Sequence, residues 1–103
     1  MMAAGQRIDV DGYSFRNERE LQLYWGLLKL VKDGRVSELD IHPKYPLTVN
    51  QKLIGHYQPT FRFLDQSRHE ERFVQVVAGN NPFRDFKKAL FEAIYGVTVK
   101  EWS

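Results

Sequence analysis

Residues 73–79 read Phe-Val-Gln-Val-Val-Ala-Gly. This run constrains the chain more than any other stretch. It is short, β-branched and almost wholly apolar. A charged segment, Arg68-His69-Glu70-Glu71-Arg72, precedes it, and an Asn80-Asn81-Pro82 turn comes after it. An apolar run of this length between turn signals reads as a buried central strand. Alternation sends Val74, Val76 and Ala78 to one face and Phe73, Gln75 and Val77 to the other. Both faces must then be covered, and Gln75 needs hydrogen-bond partners if it is buried.

The rest of the chain supplies the covers. Ile8 to Phe15 reads as a hairpin about Asp11-Gly12, a pair suited to a type I′ turn. Asn17 is placed to cap a helix over 18–32, with Glu20 at the capping-box position and Gly34 as the left-handed stop. Leu21, Tyr24, Trp25, Leu28 and Val31 form its apolar stripe, widened by Leu23, Leu27 and Leu30. Alternation over 39–49 predicts a strand interrupted by Pro43 and Pro46, and 50–55 reads as a turn. A second alternation over 57–63 predicts another strand, and 65–72 a polar hairpin loop. A helix over 83–95 should bury Phe83, Phe86, Leu90 and Ile94, with Gly96 ending it. Residues 97–102 make a last strand, and residues 1–6 a loose tail. The expected order is hairpin, helix, three mostly antiparallel strands, helix, final strand: one α/β domain over residues 1–103.

Composition narrows the class. The apolar fraction is 43% and the aromatic fraction 14%, as in a folded globular chain. Fifteen basic residues stand against 13 acidic, a net charge of +2, which permits nucleic-acid binding without arguing for it. The absence of cysteine removes disulfides, thiolate ligands and thiol catalysis. With no secretory signal and no run approaching the roughly 18 apolar residues of a membrane span, the expectation is an intracellular, cytoplasmic protein with no membrane partner.

Four segments in this order carry a resemblance: Asp11-Gly12-Tyr13-Ser14-Phe15; Glu20; Leu39-Asp40-Ile41-His42-Pro43-Lys44-Tyr45; and Lys87-Lys88-Ala89-Leu90-Phe91-Glu92-Ala93-Ile94-Tyr95-Gly96. Together they resemble small phage and prophage proteins of the PD-(D/E)XK, restriction-endonuclease-like nuclease superfamily, over nearly the whole chain. The resemblance implies a restriction-endonuclease-like core and Mg²⁺-dependent phosphodiester hydrolysis, in which carboxylates hold the cation and a lysine assists. The family's first metal-binding aspartate falls on Thr60. Its Glu-Asp-Val-Lys-Gly strand falls on Gln75-Val76-Val77-Ala78-Gly79. Only the helix glutamate, Glu20, persists. Neither Val76 nor Ala78 can bind a cation or donate a proton, so the expectation is a scaffold that has lost its chemistry, with no catalytic residue, metal or cofactor.

Other candidates have plainer readings beside the functional ones. Glu20 has a capping role whether or not it is a relic ligand. His42, His56 and His69 do not stand at metal-ligand spacing, and Asp65, Glu70 and Glu71 read as a solvated turn. Arg84, Lys87 and Lys88 form a basic face on the second helix, which Arg62 could join; the plain reading is an exposed amphipathic face. Tyr24, Trp25, Phe61 and Phe63 read as core, and Trp102 as an exposed aromatic or partner contact.

The expected function is therefore binding. The leading version docks on a host nucleic-acid-processing enzyme and modulates or inhibits it. The alternative is a non-catalytic DNA-binding protein of phage recombination or replication, and an active nuclease with relocated ligands ranks last. Arg62, Arg84, Lys87, Lys88 and Trp102 are the expected contact residues for DNA or protein. A homodimer is left open.

Overall fold

The computed structural model describes residues 7–77 and 81–102. A mixed sheet runs through the middle, and its strands are β3 (Val36–Ile41), β6 (Phe61–Asp65), β7 (Glu70–Val76) and β8 (Val99–Trp102), in the spatial order β3-β6-β7-β8. The first three are antiparallel neighbours, and β8 lies parallel to β7. A parallel pair needs a crossover, supplied by helix α2 (Pro82–Tyr95). Two separate hairpins complete the fold: β1 (Ile8–Val10) with β2 (Tyr13–Phe15), and β4 (Tyr45–Val49) with β5 (Lys52–Tyr57). Helix α1 (Glu18–Lys32) packs with β2 and β3, whereas α2 packs with β4 and β5. Among the described residues no helix is long and apolar enough to cross a membrane.

Alternation along β7 builds the two halves of the core. Val74 and Val76 join Phe15, Leu21, Tyr24, Leu27, Phe61 and Phe63 on the α1 side. Phe73 joins Leu47, Tyr57, Phe91 and Val99 on the α2 side. The central strand is thus buried on both faces, as its composition predicted; Ala78 and Gly79 at its expected end lie outside the described residues, as does the expected N-terminal tail.

Local signals set the first third of the chain. Asp11 and Gly12 both have positive φ, 54° and 81°, as a type I′ turn requires. The Asn17 side chain accepts from the Glu20 amide at 2.9 Å. The capping box is half made, because Glu20 reaches back to the Arg16 amide, at 3.1 Å, rather than to that of Asn17. Gly34, with φ 76°, comes just after the last turn of α1.

Several expectations are corrected. Among the described residues five strands, not three, lie between the helices. The strand expected over 39–49 is two strands in different sheets, because the chain turns at His42, where φ is 51°, and Pro43 lacks an amide for the ladder. The turn expected over 50–55 shrinks to Asn50-Gln51, both at positive φ, leaving Lys52 to Tyr57 free to pair with β4. The strand expected over 57–63 breaks at Pro59-Thr60, and β7 begins at Glu70, earlier than expected. The last strand starts at Val99 rather than residue 97. On α1, Trp25 and Val31 are exposed while Leu21, Tyr24 and Leu27 are buried.

The largest correction concerns α2. Phe83 and Phe86 are 67% and 61% exposed, Ile94 is also exposed, and Phe91 is 0% exposed. Of the four residues expected to face the core, Leu90 does pack against the Phe91 cluster, half-buried; at 100° per residue the direction of Phe91 is turned by about 100° from the mean direction of Phe83, Phe86, Leu90 and Ile94. Ring contacts explain the choice: Phe91 meets Tyr45, Tyr57, Phe73 and Tyr95 at centroid distances of 4.8–5.3 Å. Polar groups on this side are satisfied as well, with Tyr95 donating to the Pro46 carbonyl at 2.8 Å and Glu92 accepting the Val99 amide at 2.8 Å.

Candidate functional site

Of the positions that the resemblance singles out, Glu20, Thr60 and Val76 lie on the α1 side of the sheet, whereas Gln75 faces the α2 side and meets Tyr57. Thr60 sits in the break between β5 and β6 and is fully buried. Its amide donates to the Val74 carbonyl at 2.8 Å, and its carbonyl accepts from the His42 amide at 2.9 Å. Its hydroxyl accepts from the Val76 amide at 2.9 Å. The side chain therefore does the work of a ladder acceptor where the strand is interrupted, so the one oxygen available at this position is committed to the backbone.

Glu20 is 2% exposed. Its Oε1 lies 3.0 Å from His42 Nε2, and its Oε2 lies 3.8 Å from the Arg16 guanidinium. Burial pushes the carboxyl up, but the hydrogen bonds from His42 and the Arg16 amide, together with the charges on both residues, outweigh it. Glu20 ends below the ordinary 4.5. It is held as a carboxylate by an imidazole and a guanidinium.

The residues at these positions do not fit a hard divalent cation. Such an ion takes several oxygen ligands, mostly carboxylates. Glu20 is engaged by His42 and Arg16, the Thr60 hydroxyl is engaged by the Val76 amide, and the Val76 side chain offers no ligand. Gln75 is also buried, with its Oε1 accepting from the Tyr57 hydroxyl. Its Nε2 has no hydrogen-bond partner among the described residues. Burial pushes the Tyr57 hydroxyl well above its ordinary range, so it stays a neutral donor. Ala78 lies outside the described residues.

The expected basic patch divides. Arg62 is ringed by Glu38, Asp40 and Glu71. Burial draws its pKa down, but hydrogen bonds to Glu71 and Glu38 and the Asp40 charge leave it above the ordinary value. Lys88 pairs with Glu92 at 3.7 Å and Glu101 at 3.6 Å. Trp102 is half-buried against Phe63, at a centroid distance of 6.4 Å, and lines an apolar recess of about 410 Å³ with Leu27, Leu30 and Val74. Arg84 and Lys87 remain, and they line a different cleft.

That cleft, about 680 Å³ in volume, lies between the start of α1, the β4–β5 hairpin and the start of α2. Arg16, Lys44, His56, Arg84 and Lys87 line it, and among the described residues no acidic side chain does. Phe83, Tyr57, Gln58 and Asn81 complete most of the wall. The Arg84 Nε is buried without a hydrogen-bond partner among the described residues. The Lys87 ammonium stands 4.8 Å from the centre of the Phe83 ring. Low-dielectric walls lined by one sign of charge concentrate the field on an anionic ligand.

The cleft adjoins the Glu20–His42 pair. Arg16 touches Glu20 and also lines the cleft, and Gln58, another wall residue, donates to the His42 carbonyl at 2.9 Å. Sequence reasoning flagged Arg84 and Lys87 by their helical spacing but missed Arg16, Lys44 and His56, which come from separate segments and share no local pattern. It also missed the Glu20–His42 pair, whose members are 22 residues apart. Comparison of the chain with family models, with curated proteins and with solved structures finds no match.

Proposed function

We propose that the chain is a nuclease-like scaffold of phage or prophage type that binds nucleic acid without cutting it. The observation that carries this reading is the basic cleft beside the Glu20–His42 pair, where four guanidinium or ammonium side chains converge with no lining carboxylate among the described residues. Phosphates are the polyanion such a surface suits, and they dominate nucleic-acid affinity. The order of hairpin, helix, antiparallel strands, helix and final parallel strand supports a restriction-endonuclease-like core with an added β4–β5 hairpin. Absence of cleavage is expected from chemistry: the residues at the aligned positions are a threonine bonded to backbone, an amide and a valine.

The test is binding of labelled nucleic acids across a salt series, beside a hydrolysis assay with Mg²⁺ or Mn²⁺. Binding should weaken steeply with salt. Arg84→Glu with Lys87→Glu should abolish it, and Lys88→Ala should leave it unchanged, since Lys88 is already paired with two glutamates. No binding at low salt would overturn the reading. Cleavage that disappears in Glu20→Ala would overturn the loss of catalysis.

A second reading, docking on a host nucleic-acid-processing enzyme, is favoured by one separate observation. The β4–β5 hairpin exposes Leu53 and Ile54, at 56% and 51%, together with Val49. An exposed apolar cluster of this kind marks contact surfaces. Capture of a host enzyme from nuclease-treated lysate, lost in Leu53→Glu with Ile54→Glu, would move this reading ahead.

A further inference from the structure

The outward stripe of α2 is unexplained by folding. Phe83 and Phe86 lie one turn apart, about 4.5 Å along the axis, and each is more than three-fifths exposed. Phe83 forms part of the basic cleft's wall, and Lys87 sits over its ring. Lys87 lies only about 40° round the helix from Phe83 and shares the ring face, and Arg84, about 100° from Phe83, joins that ring in the cleft wall, whereas Asp85 lies about 160° from Phe83 and about 100° from Phe86.

We propose that this face takes single-stranded nucleic acid, with Phe83 and Phe86 receiving unstacked bases while Arg84 and Lys87 hold the adjoining phosphates. The inference rests on the nucleic-acid reading above and adds strandedness to it. A phenyl ring has no hydrogen-bonding group with which to read a base edge, but every unpaired base has a π-face to stack on it. In a duplex those faces are already occupied by neighbouring bases. Exposed aromatics joined to a cationic groove are what a single strand requires: stacking for the bases and charge for the backbone. A protein partner would gain from the rings but would have to match a cleft lined by four cationic side chains and, among the described residues, no carboxylate.

The experiment measures anisotropy of a labelled 12-nucleotide oligo-dT and of a duplex of about the same length, over a salt series, with the full chain. The single strand should bind more tightly. Phe83→Ala should weaken that binding by about 5- to 150-fold per lost stack without changing its salt slope, and Phe83→Trp should restore it. Arg84→Ala should instead lower the slope by about 0.7. Melting curves of each variant check folding, and an exposed ring can be removed without loss of core. Equal or tighter duplex binding, or single-strand binding indifferent to Phe83→Ala, would overturn the inference while leaving nucleic-acid binding intact. Failure of either polymer to bind at low salt would overturn both.

Discussion

Replacing Val76 with aspartate puts a carboxylate into the central strand, and the surroundings of position 76 set the cost. Val76 is 4% exposed and belongs to the cluster that includes Phe15, Leu21, Tyr24 and Val74. Losing the buried valine side chain removes about 1.5–3 kcal/mol. The new carboxyl enters an apolar cluster with no cation to balance it, and burial raises such a group's pKa by up to about 3–5 units. A rise of about 3 units from about 3.9 is about 4 kcal/mol at pH 7. The combined loss, about 5–7 kcal/mol, is comparable with the whole stability of a domain this size, about 5–15 kcal/mol. The sign with pH is definite. An acid whose folded pKa is raised destabilises most above that pKa, so the penalty relative to the parent should shrink as pH falls from 7 towards 4, leaving the packing part. Urea unfolding of the parent, Val76→Asp and Val76→Asn at pH 7 and near pH 4.5 measures this, because the asparagine lacks the pH-dependent part. A Val76→Asp midpoint equal to the parent's at pH 7 would mean that water reaches position 76 and that this part of the core is open.

Three further expectations bear on the same site and core. Thr60→Val keeps the shape but leaves the Val76 amide without its acceptor, a loss of about 1–3 kcal/mol by denaturant unfolding; Thr60→Ser should recover most of it. Glu20, with its pKa depressed in the fold, stabilises above its ordinary 4.5, and that contribution is lost as pH falls through the folded value; Glu20→Gln should flatten the acid limb of the stability profile measured between pH 6 and 3. Phe91→Ala, emptying a fully buried aromatic site, should cost about 3–5 kcal/mol, while Phe86→Ala should change the melting midpoint little; the reverse result would restore the helix face expected from periodicity.

The sequence by itself determined what depends on neighbours along the chain. Asp11-Gly12 sets the first turn through positive φ, Asn17 and Gly34 bound the first helix, and Gly96 stops the second with φ 67°. The composition of 73–77 was sufficient to make that segment the central strand and to assign Val74 and Phe73 to opposite halves of the core. The tertiary structure decided whatever depends on which surfaces meet. Periodicity gives α2 an apolar stripe, but the ring cluster of Tyr45, Tyr57, Phe73 and Tyr95 selects Phe91 instead and leaves Phe83 and Phe86 in solvent. Pro43 and Pro46 announced an interruption in 39–49, whereas nothing in the alternation of 57–63 announced the break at Pro59-Thr60; the pairing of β4 with β5 in a sheet of their own turned two expected strands into four. Arg62 and Arg84 are alike as residues; one is neutralised by three carboxylates and the other has a buried Nε with no hydrogen-bond partner among the described residues, because charge is cancelled or concentrated by groups that approach through space. The basic cleft assembles side chains from positions 16, 44, 56, 84 and 87, and no local pattern links residues that only folding brings to one wall.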